Sequence, residues 1–595
     1  MTNKSAIAAL VWLGRDVPRE QQLSYWRSTH AQKAARTRGV LEYRQHHFDQ
    51  NSLGHWPLVA GIDTEIHPEH RIDGVEEVIL NTRAVKYHRK LTSAEAVEAF
   101  KKIEWHVTKL ATSHWLSFAQ SRKASYREVV LIRRKPHVQL PEFHAFINHL
   151  LTPAIASAPG IAEMHYHLFE SSQQREARSS YQAMLIIGAV DSTMLKKALT
   201  STSFQATESA QQAYCEAIHA YPVEDSYIFT KSGRPTLPQT KAERKPPLEP
   251  VRRKLPPAPA RARRTSSGIP FPPVQRIPLS GYGPEDVIAD DQGRLLCGVE
   301  DGRILRIHPE RGSEEVIGNT GGRPLGLELL PDGQLLICDA HKGLLQLNKE
   351  TGKIETLVQY VDGIPLRFCS NAAAAKDGTI WFTESSDRYD FEQYTGALLE
   401  HRPSGRLFKR YPNGQVEVVL EGLHFANGLI LSDDEQAVIF SETGGYRINR
   451  LWIQGTNVGK RELLVDNLPG FPDNISRLQD GKFWVAIMTN RNSLLDRLGT
   501  MPAFLRRLLW RIPERWQPAA TKTVWAMQID EQGNCLVDLQ HSAIGYHGVT
   551  GVVESSGTVY FASIEQGALL AVRLTSDAGT AANFYTEFPQ KTSTV

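Results

Sequence analysis

The chain has 595 residues, 41% hydrophobic and 22% charged, with a formal net charge of +3; it is too long for one hydrophobic core and too ordinary in composition for a collagen-like or fully disordered class. No apolar run approaches the roughly 18–20 residues that a bilayer span needs. Nine Lys and Arg stand against two Glu between Lys241 and Arg264, an excess of seven that leaves the remainder at −4, so the folded parts offer no basic footing for a nucleic-acid partner.

The first residues, MTNKSAIAALVWLG, hold an apolar stretch too short for a signal sequence, and Arg15-Asp16 follows without a small-residue cleavage site. A cytoplasmic protein is expected. The five cysteines, Cys215, Cys297, Cys338, Cys369 and Cys535, sit singly in apolar runs with no CxxC pattern, which reads as buried thiols.

The first 232 residues repeat. An offset of 121 aligns Gly39-Val40-Leu41-Glu42 with Gly160-Ile161-Ala162-Glu163, and Tyr25 with Phe146. Two α+β units of ferredoxin-like plan are expected, over 1–120 and 121–232. Each reads as a strand (Ala6–Leu13; Val129–Ile132), a helix (Arg19–Arg36; Leu140–Ala156), a His-rich strand, and then a further strand and helix. That last pair is Glu77–Thr82 with Ala94–Leu110 in the first unit, and Gln182–Ile187 with Ser192–Leu199 in the second.

The stretch VPREQQLSYWRSTHAQKAARTRGVLEYRQHHF, with Tyr25, Trp26, His30 and Ala31 in a Tyr-Trp-x-x-x-His-Ala pattern, resembles the EthD family of dimeric α+β barrels. The resemblance implies that the tandem copies build such a barrel within one chain. It implies for His30 either a general acid/base facing the interior or a structural role on its helix. The second copy departs from the pattern, with Ile147 and Leu151 in place of Trp26 and His30. His46, His47, His165 and His167 alternate along the two equivalent strands, and alternation puts His47 and Phe48 on opposite faces.

Residues 233–272 contain TLPQTKAERKPPLEPVRRKLPPAPARARRTSS, rich in Pro, Arg and Lys and nearly free of aromatics. Such a composition buries too little apolar surface to offset its ordering entropy. A semi-extended spacer, or a basic arm for an acidic partner surface, is expected.

From 273 to 580 the pattern becomes short strands after tight turns. Six times a turn leads into an alternating strand, as in DQGRLLCGVEDGRILRI, KDGTIWFTESSDRY and SSGTVYFASIEQGALLAV. This predicts an all-β six-bladed propeller. Glu285, Asn371, Asn427, and Asp473 with Asn474 precede these strands, where propeller geometry points side chains into the central channel. Carboxylates and amides without Cys or His are hard-oxygen donors, suited to Ca2+, Mg2+ or Mn2+ rather than Zn2+.

That set, with GPED, GRPLGL, FTESSDRY, ANGLILS, LPGFPDN and FWVAI, resembles the strictosidine-synthase-like and gluconolactonase-like propellers. The resemblance implies one divalent cation, Ca2+ first, with Mg2+, Mn2+ and Zn2+ as alternatives. Its ligands would be Glu285, Asn371, Asn427, Asp473 and Asn474, with Asp473 also the general base. Three departures limit this. Thr550 stands where strictosidine synthase has its catalytic glutamate, Leu325 and Met488 stand at the paraoxonase histidine positions, and Ala372 replaces the Asp of an Asn-Asp pair. His547 is then the candidate for proton transfer, with an ordinary loop histidine as the other reading.

An insertion at 489–520, centred on RNSLLDRLGTMPAFLRRLLWRIPERWQP, predicts an amphipathic helical hairpin. Its apolar face is Leu505, Leu508, Leu509 and Ile512, and its charge comes from Arg506, Arg507, Arg511 and Arg515. A lid over the channel, packing on the N-terminal half, or a peripheral membrane contact through 491–518 are its readings. The expected function is a metal-dependent hydrolase of a lactone or ester of a small hydrophobic metabolite. The alternatives are an EthD-type dehydratase or cyclase with the propeller as support, and a small-molecule binding protein with a structural metal.

Overall fold

The computed structural model describes residues 4–14, 18–37, 39–68, 71–81, 106–119, 124–169, 181–236, 245–268, 271–476, 480–512, 520–542 and 544–574. The chain divides into two compact units: Met1–Leu237 with Asp362–Pro365, and Pro238–Val361 with Leu366–Val595.

Among the described residues the main sheet of the first unit holds nine strands: β1 (Lys4–Trp12), β2 (Val40–Phe48), β3 (Gly74–Asn81), β4 (His106–Ala119), β5 (Tyr126–Arg134), β6 (Ile161–Phe169), β7 (Ala183–Ala189), β8 (Cys215–Lys231) and β9 (Arg234–Pro235). Their order in one sheet is β2-β3-β1-β4-β6-β7-β5-β8-β9. Strand β2 also pairs with β8, Tyr43 lying opposite Thr230 and His46 opposite Ser226, so the sheet curls back on itself. All seven residues of β7 are buried, as expected of a near-continuous apolar strand covered on both faces.

The 121-residue offset is visible in three dimensions. The helical segments Arg19–Ala35 and Leu140–Ala156 and the strands β2 and β6 correspond under it, and each helical segment contains a π-helical turn, Trp26–His30 and Ile147–Leu151. The order β2-β3-β1-β4 recurs as β6-β7-β5-β8. Of the helix expected over Ala94–Leu110, residues 94–105 lie outside the described residues. Residues 106–110 are not helical; they open β4, which pairs with β1 on one side and β6 on the other. Those backbone partners override the local helical period.

The second unit is a six-bladed β-propeller of six four-stranded antiparallel sheets. The innermost strands are Val287–Ala289, Pro324–Leu329, Cys369–Ala374, Ala426–Leu431, Gly470–Ile475 and Val549–Ser555. The last blade takes its outermost strand, Val274–Pro278, from the start of the propeller sequence, where it pairs with Ala568–Arg573. This ties the two ends of the ring together and leaves that edge paired. Five of the six repeated turns place a glycine at positive φ (Gly293, Gly333, Gly378, Gly481 and Gly557), and the sixth uses Glu435 at φ 53°. Cys215, Cys297, Cys338 and Cys369 are buried free thiols, and Cys535 is half-buried.

The Pro/Arg-rich stretch departs from the expected spacer in its described part, 245–268. It lies along the propeller: Val251 N donates to Glu400 O (2.8 Å) and Arg253 N to Gly499 O (2.9 Å). Arg261, 9% exposed, pairs with Asp538 (2.7 Å) and covers the Trp525 ring at 4.6 Å. Composition argues for a free linker because it counts apolar side chains only. Here the backbone carbonyls of Pro246, Leu248, Val251 and Pro256 accept from Trp510, Arg507, Arg506 and Arg491, and proline reduces the entropy lost on ordering.

Candidate metal centre at the propeller axis

The five donors predicted from sequence meet in one place. Asn427 Nδ2 donates to Asp473 Oδ1 (2.5 Å), Asn474 Nδ2 to Glu285 Oε2 (3.1 Å), and Asn371 Nδ2 to Asn474 Oδ1 (3.0 Å). The last two bonds join blades that are not neighbours, the fifth to the first and the third to the fifth. Only side chains on the axis can make them. All five residues are buried, with Glu285 and Asp473 each 5% exposed.

The inner strands approach this closely because small residues lie between the donors. A Cβ on Gly428 would stand 2.5 Å from Ile475 N and 2.7 Å from Asp473 O, and one on Gly551 would stand 2.7 Å from the Asp286 Cα. Thr550 is not a catalytic acid; its hydroxyl donates to the Glu285 carbonyl (2.6 Å) and ties the sixth blade to the first.

Electrostatically the centre is under-neutralised. Burial, then the charges of Asp473 and Asp286, push Glu285 well above the carboxylate range. Burial pushes Asp473 up to about 8, with Asp286 adding to the rise. Asp286, which the sequence reading passed over, is pushed by burial to about 7 even though Val287 N and Leu327 N donate to it. Among the described residues no Lys, Arg or His forms an ion pair with any of the three. Nor is any group of three or more His, Cys, Asp and Glu there placed to hold a metal. The axial set is instead carboxylates with carboxamides, and its fit to a hard divalent cation rests on buried carboxylates without an ion-paired base and on amide oxygens.

On one side of this layer the side chains just upstream on the inner strands, Leu325, Phe368 and Phe425, form an apolar cluster with Tyr389, Trp510 and Leu248. Trp510 belongs to the insertion, whose helices are Ser493–Leu498 and Ala503–Arg511. The helix faces differ from the expected ones. Arg506 is 1% exposed and donates to the carbonyls of Leu399, Glu400 and Val251, whereas Leu508 is 57% and Phe504 62% exposed. A guanidinium with three carbonyl acceptors outcompetes a leucine for the buried position. On the other side of the layer the channel opens into a cavity of about 230 Å³ reaching Asp286 and Asn371, walled by Leu327, Ile430, Trp484 and Glu554.

The remaining candidates lie elsewhere. His547 pairs with Glu565 (2.9 Å) and has no hydrogen bond or ion pair to the axial donors. Met488 packs with the apolar cluster of Phe471, Ile487 and Trp525. In the first unit, His30 Nε2 meets Glu76 Oε1 at 3.0 Å, where Trp26 Nε1 (2.5 Å) and the Tyr43 hydroxyl (2.7 Å) also donate. Glu77, one residue on and facing the other way, meets His167 Nε2 (2.9 Å) and His46 Nε2 (3.2 Å), with His165 Nδ1 at 3.8 Å. The histidines were legible as a period-2 pattern; the carboxylates that hold them were not, because Glu76 and Glu77 stand in a run that reads as an ordinary strand.

A family model described as strictosidine synthase matches residues 372–456, and one described as strictosidine synthase-like, N-terminal, matches 273–307. Strictosidine synthase-like 6 of Arabidopsis thaliana is 33% identical over 276 residues, 45% of this chain and 73% of its own length. The chain belongs to the strictosidine synthase-like family. The adipocyte plasma membrane-associated protein of Salmo salar is 33% identical over 310 residues, 47% of this chain and 73% of its own length. Among solved structures, a gluconolactonase of Xanthomonas campestris is 17% identical and covers 56% of this chain and 99% of its own, with a TM-score of 0.38. Both family-model matches lie in the propeller. No helix among the described residues is long and apolar enough to cross a membrane.

Proposed function

We propose that the propeller is a metal-dependent hydrolase of lactones or esters of a small hydrophobic metabolite, with its active site at the axis. The observation that carries this is the pair Glu285 and Asp473, two buried carboxylates without an ion-paired base, set among the amides of Asn371, Asn427 and Asn474. These five residues would hold one divalent cation, Ca2+ in the first instance. When bound, such a cation polarises a carbonyl and acidifies water. The chain's own part is to orient and to exclude solvent. Asn427 fixes the Asp473 carboxylate so that its other oxygen can take a proton from water, and Leu325, Phe368 and Phe425 shield the layer and suit an apolar substrate. On a panel of lactones and aryl esters, activity is expected to disappear with chelator and in Asp473→Asn; activity surviving both contradicts the reading.

A second reading draws on the first unit. The curled sheet, its repeated strand order and the His30–Glu76 pair support an EthD-like barrel whose carboxylate-oriented imidazole acts as acid or base in a dehydration or cyclisation. Activity lost in His30→Ala but kept in Asp473→Asn would select it. For the insertion, exposed Phe504 and Leu508 beside Arg507 and Arg511 support peripheral contact with an anionic lipid surface, tested by flotation of the Phe504→Ser/Leu508→Ser variant with anionic vesicles.

A further inference from the structure

Arg323 stands immediately before the second inner strand, Pro324–Leu329, and is 4% exposed. Its backbone N–H donates to Asp339 Oδ1 (3.1 Å), its Nη2 donates to the Gly283 carbonyl (2.8 Å), and its guanidinium carbon lies 4.9 Å from the Phe391 ring centre. Nε and Nη1 have no hydrogen-bond partner, and no other described residue leaves two buried side-chain atoms so. A buried unpaired donor costs about 1–3 kcal/mol, and more when charged.

Glu285, and after it Glu300, Asp339 and Glu392, act on its charge through space, but the bonds of the last two run elsewhere. Asp339 Oδ1 accepts from three backbone N–H groups, those of Arg323, His341 and Lys342, and Glu392 accepts from His341 Nε2 at 2.8 Å. No ion pair joins Arg323 to either. Yet the residue is close to the axial centre. Gly283, which it binds, lies two positions before Glu285, and Leu325, two positions after it, packs with Phe368 and Phe425 above the donor layer.

We infer that Arg323 is a specificity-determining residue that binds an anionic group of the substrate, so that the site takes an ester or lactone with an apolar body and a carboxylate. The inference rests on the hydrolase reading for the reacting bond, but not for the binding of the anion. A planar guanidinium with unused donors recognises carboxylate directionally, while the neighbouring apolar cluster of Leu325, Phe368 and Phe425 suits the hydrocarbon part.

The test uses octanoate and octanol as probes, titrated calorimetrically into the full-length Asp473→Asn protein with chelator present, where neither cation nor hydrolysis contributes. Octanoate is expected to bind about ten- to a hundredfold more tightly than octanol, the worth of a charge-assisted hydrogen bond. Arg323→Met is expected to erase that preference and Arg323→Lys to retain part of it, with the thermal transition of each variant showing that it is folded. Equal binding of the two probes by the parent, or a preference unchanged in Arg323→Met, overturns the inference while leaving the hydrolase reading intact. An Arg323-dependent preference in a protein that hydrolyses no lactone or ester upholds the anion site and defeats the hydrolase reading.

Discussion

Two clusters of buried carboxylates, Glu76 with Glu77 in the first unit and Glu285 with Asp286 and Asp473 in the second, are treated in opposite ways. In the curled sheet burial alone would raise both glutamates, but His30, with Trp26 and Tyr43, holds Glu76 down to about 2, and His165, His167 and His46 hold Glu77 well below its usual range. At the propeller axis burial prevails, and Glu285 and Asp473 rise, the first helped by the charges of Asp473 and Asp286 and the second by that of Asp286. The same side-chain chemistry is thus closed in one unit, where imidazoles, an indole and a phenol are bonded to the carboxylates. It is open in the other, where no ion pair answers the carboxylates and Arg323 acts on Glu285 only through space. A buried acid is informative about ligands only after its counter-charges have been counted.

The largest expected effect breaks the closed pair. Glu77→Gln should destabilise the first unit by about 3–5 kcal/mol, the usual cost of removing one partner from a buried charged network, measured by denaturant unfolding of the N-terminal transition. Acid should act in the same direction. Because the pKa of Glu76 is lowered in the folded protein, its contribution is complete above the unfolded value near 4.5 and is lost as pH falls toward about 2. A first unit whose stability is flat between pH 5 and pH 2 would contradict the pairing.

Next, Ca2+ added to chelator-treated protein at a hundredfold excess over its Kd should stabilise the propeller by about 2.7 kcal/mol, visible as a rise in its thermal transition alone. A smaller opening of the axis should suffice to weaken this. Gly428→Ala places a Cβ against the Asp473 and Ile475 backbone and should cost about 1–3 kcal/mol by overpacking, with a weaker Ca2+ response. The smallest effect carries the opposite sign. With chelator present, Asp473→Asn should leave the propeller as stable as the parent or slightly more so, since it relieves repulsion. A loss comparable to that of Glu77→Gln would show that Asp473 is already neutralised.

The asymmetry also explains what was legible in the sequence. Period-2 strands after tight turns recur six times, and the donors precede them at fixed places, so the propeller and its five axial residues could be read directly. The repeat at 121 residues was equally plain, because β2 and β6 preserve their glycine-led starts. What escaped notice depends on partners distant in sequence. Asp286 sits beside Glu285, where strict alternation would send it outward, but it precedes the first inner strand and turns inward as well. Arg323 lies in GRPLGL, where nothing in the local pattern marks it as buried. Arg506 looked like the polar face of a helix until three carbonyls, one from the Pro/Arg-rich stretch, claimed it. The strand Val274–Pro278 closes a ring whose other partner lies almost 300 residues away.

The most direct measurement is a calorimetric titration of Ca2+ into metal-stripped protein, run in parallel on Glu285→Gln/Asp473→Asn and on Glu77→Gln. One site per chain is expected, absent from the axial double variant and unchanged in Glu77→Gln. Saturable binding that persists in the double variant, or no binding by the unaltered protein, would contradict the metal centre at the axis.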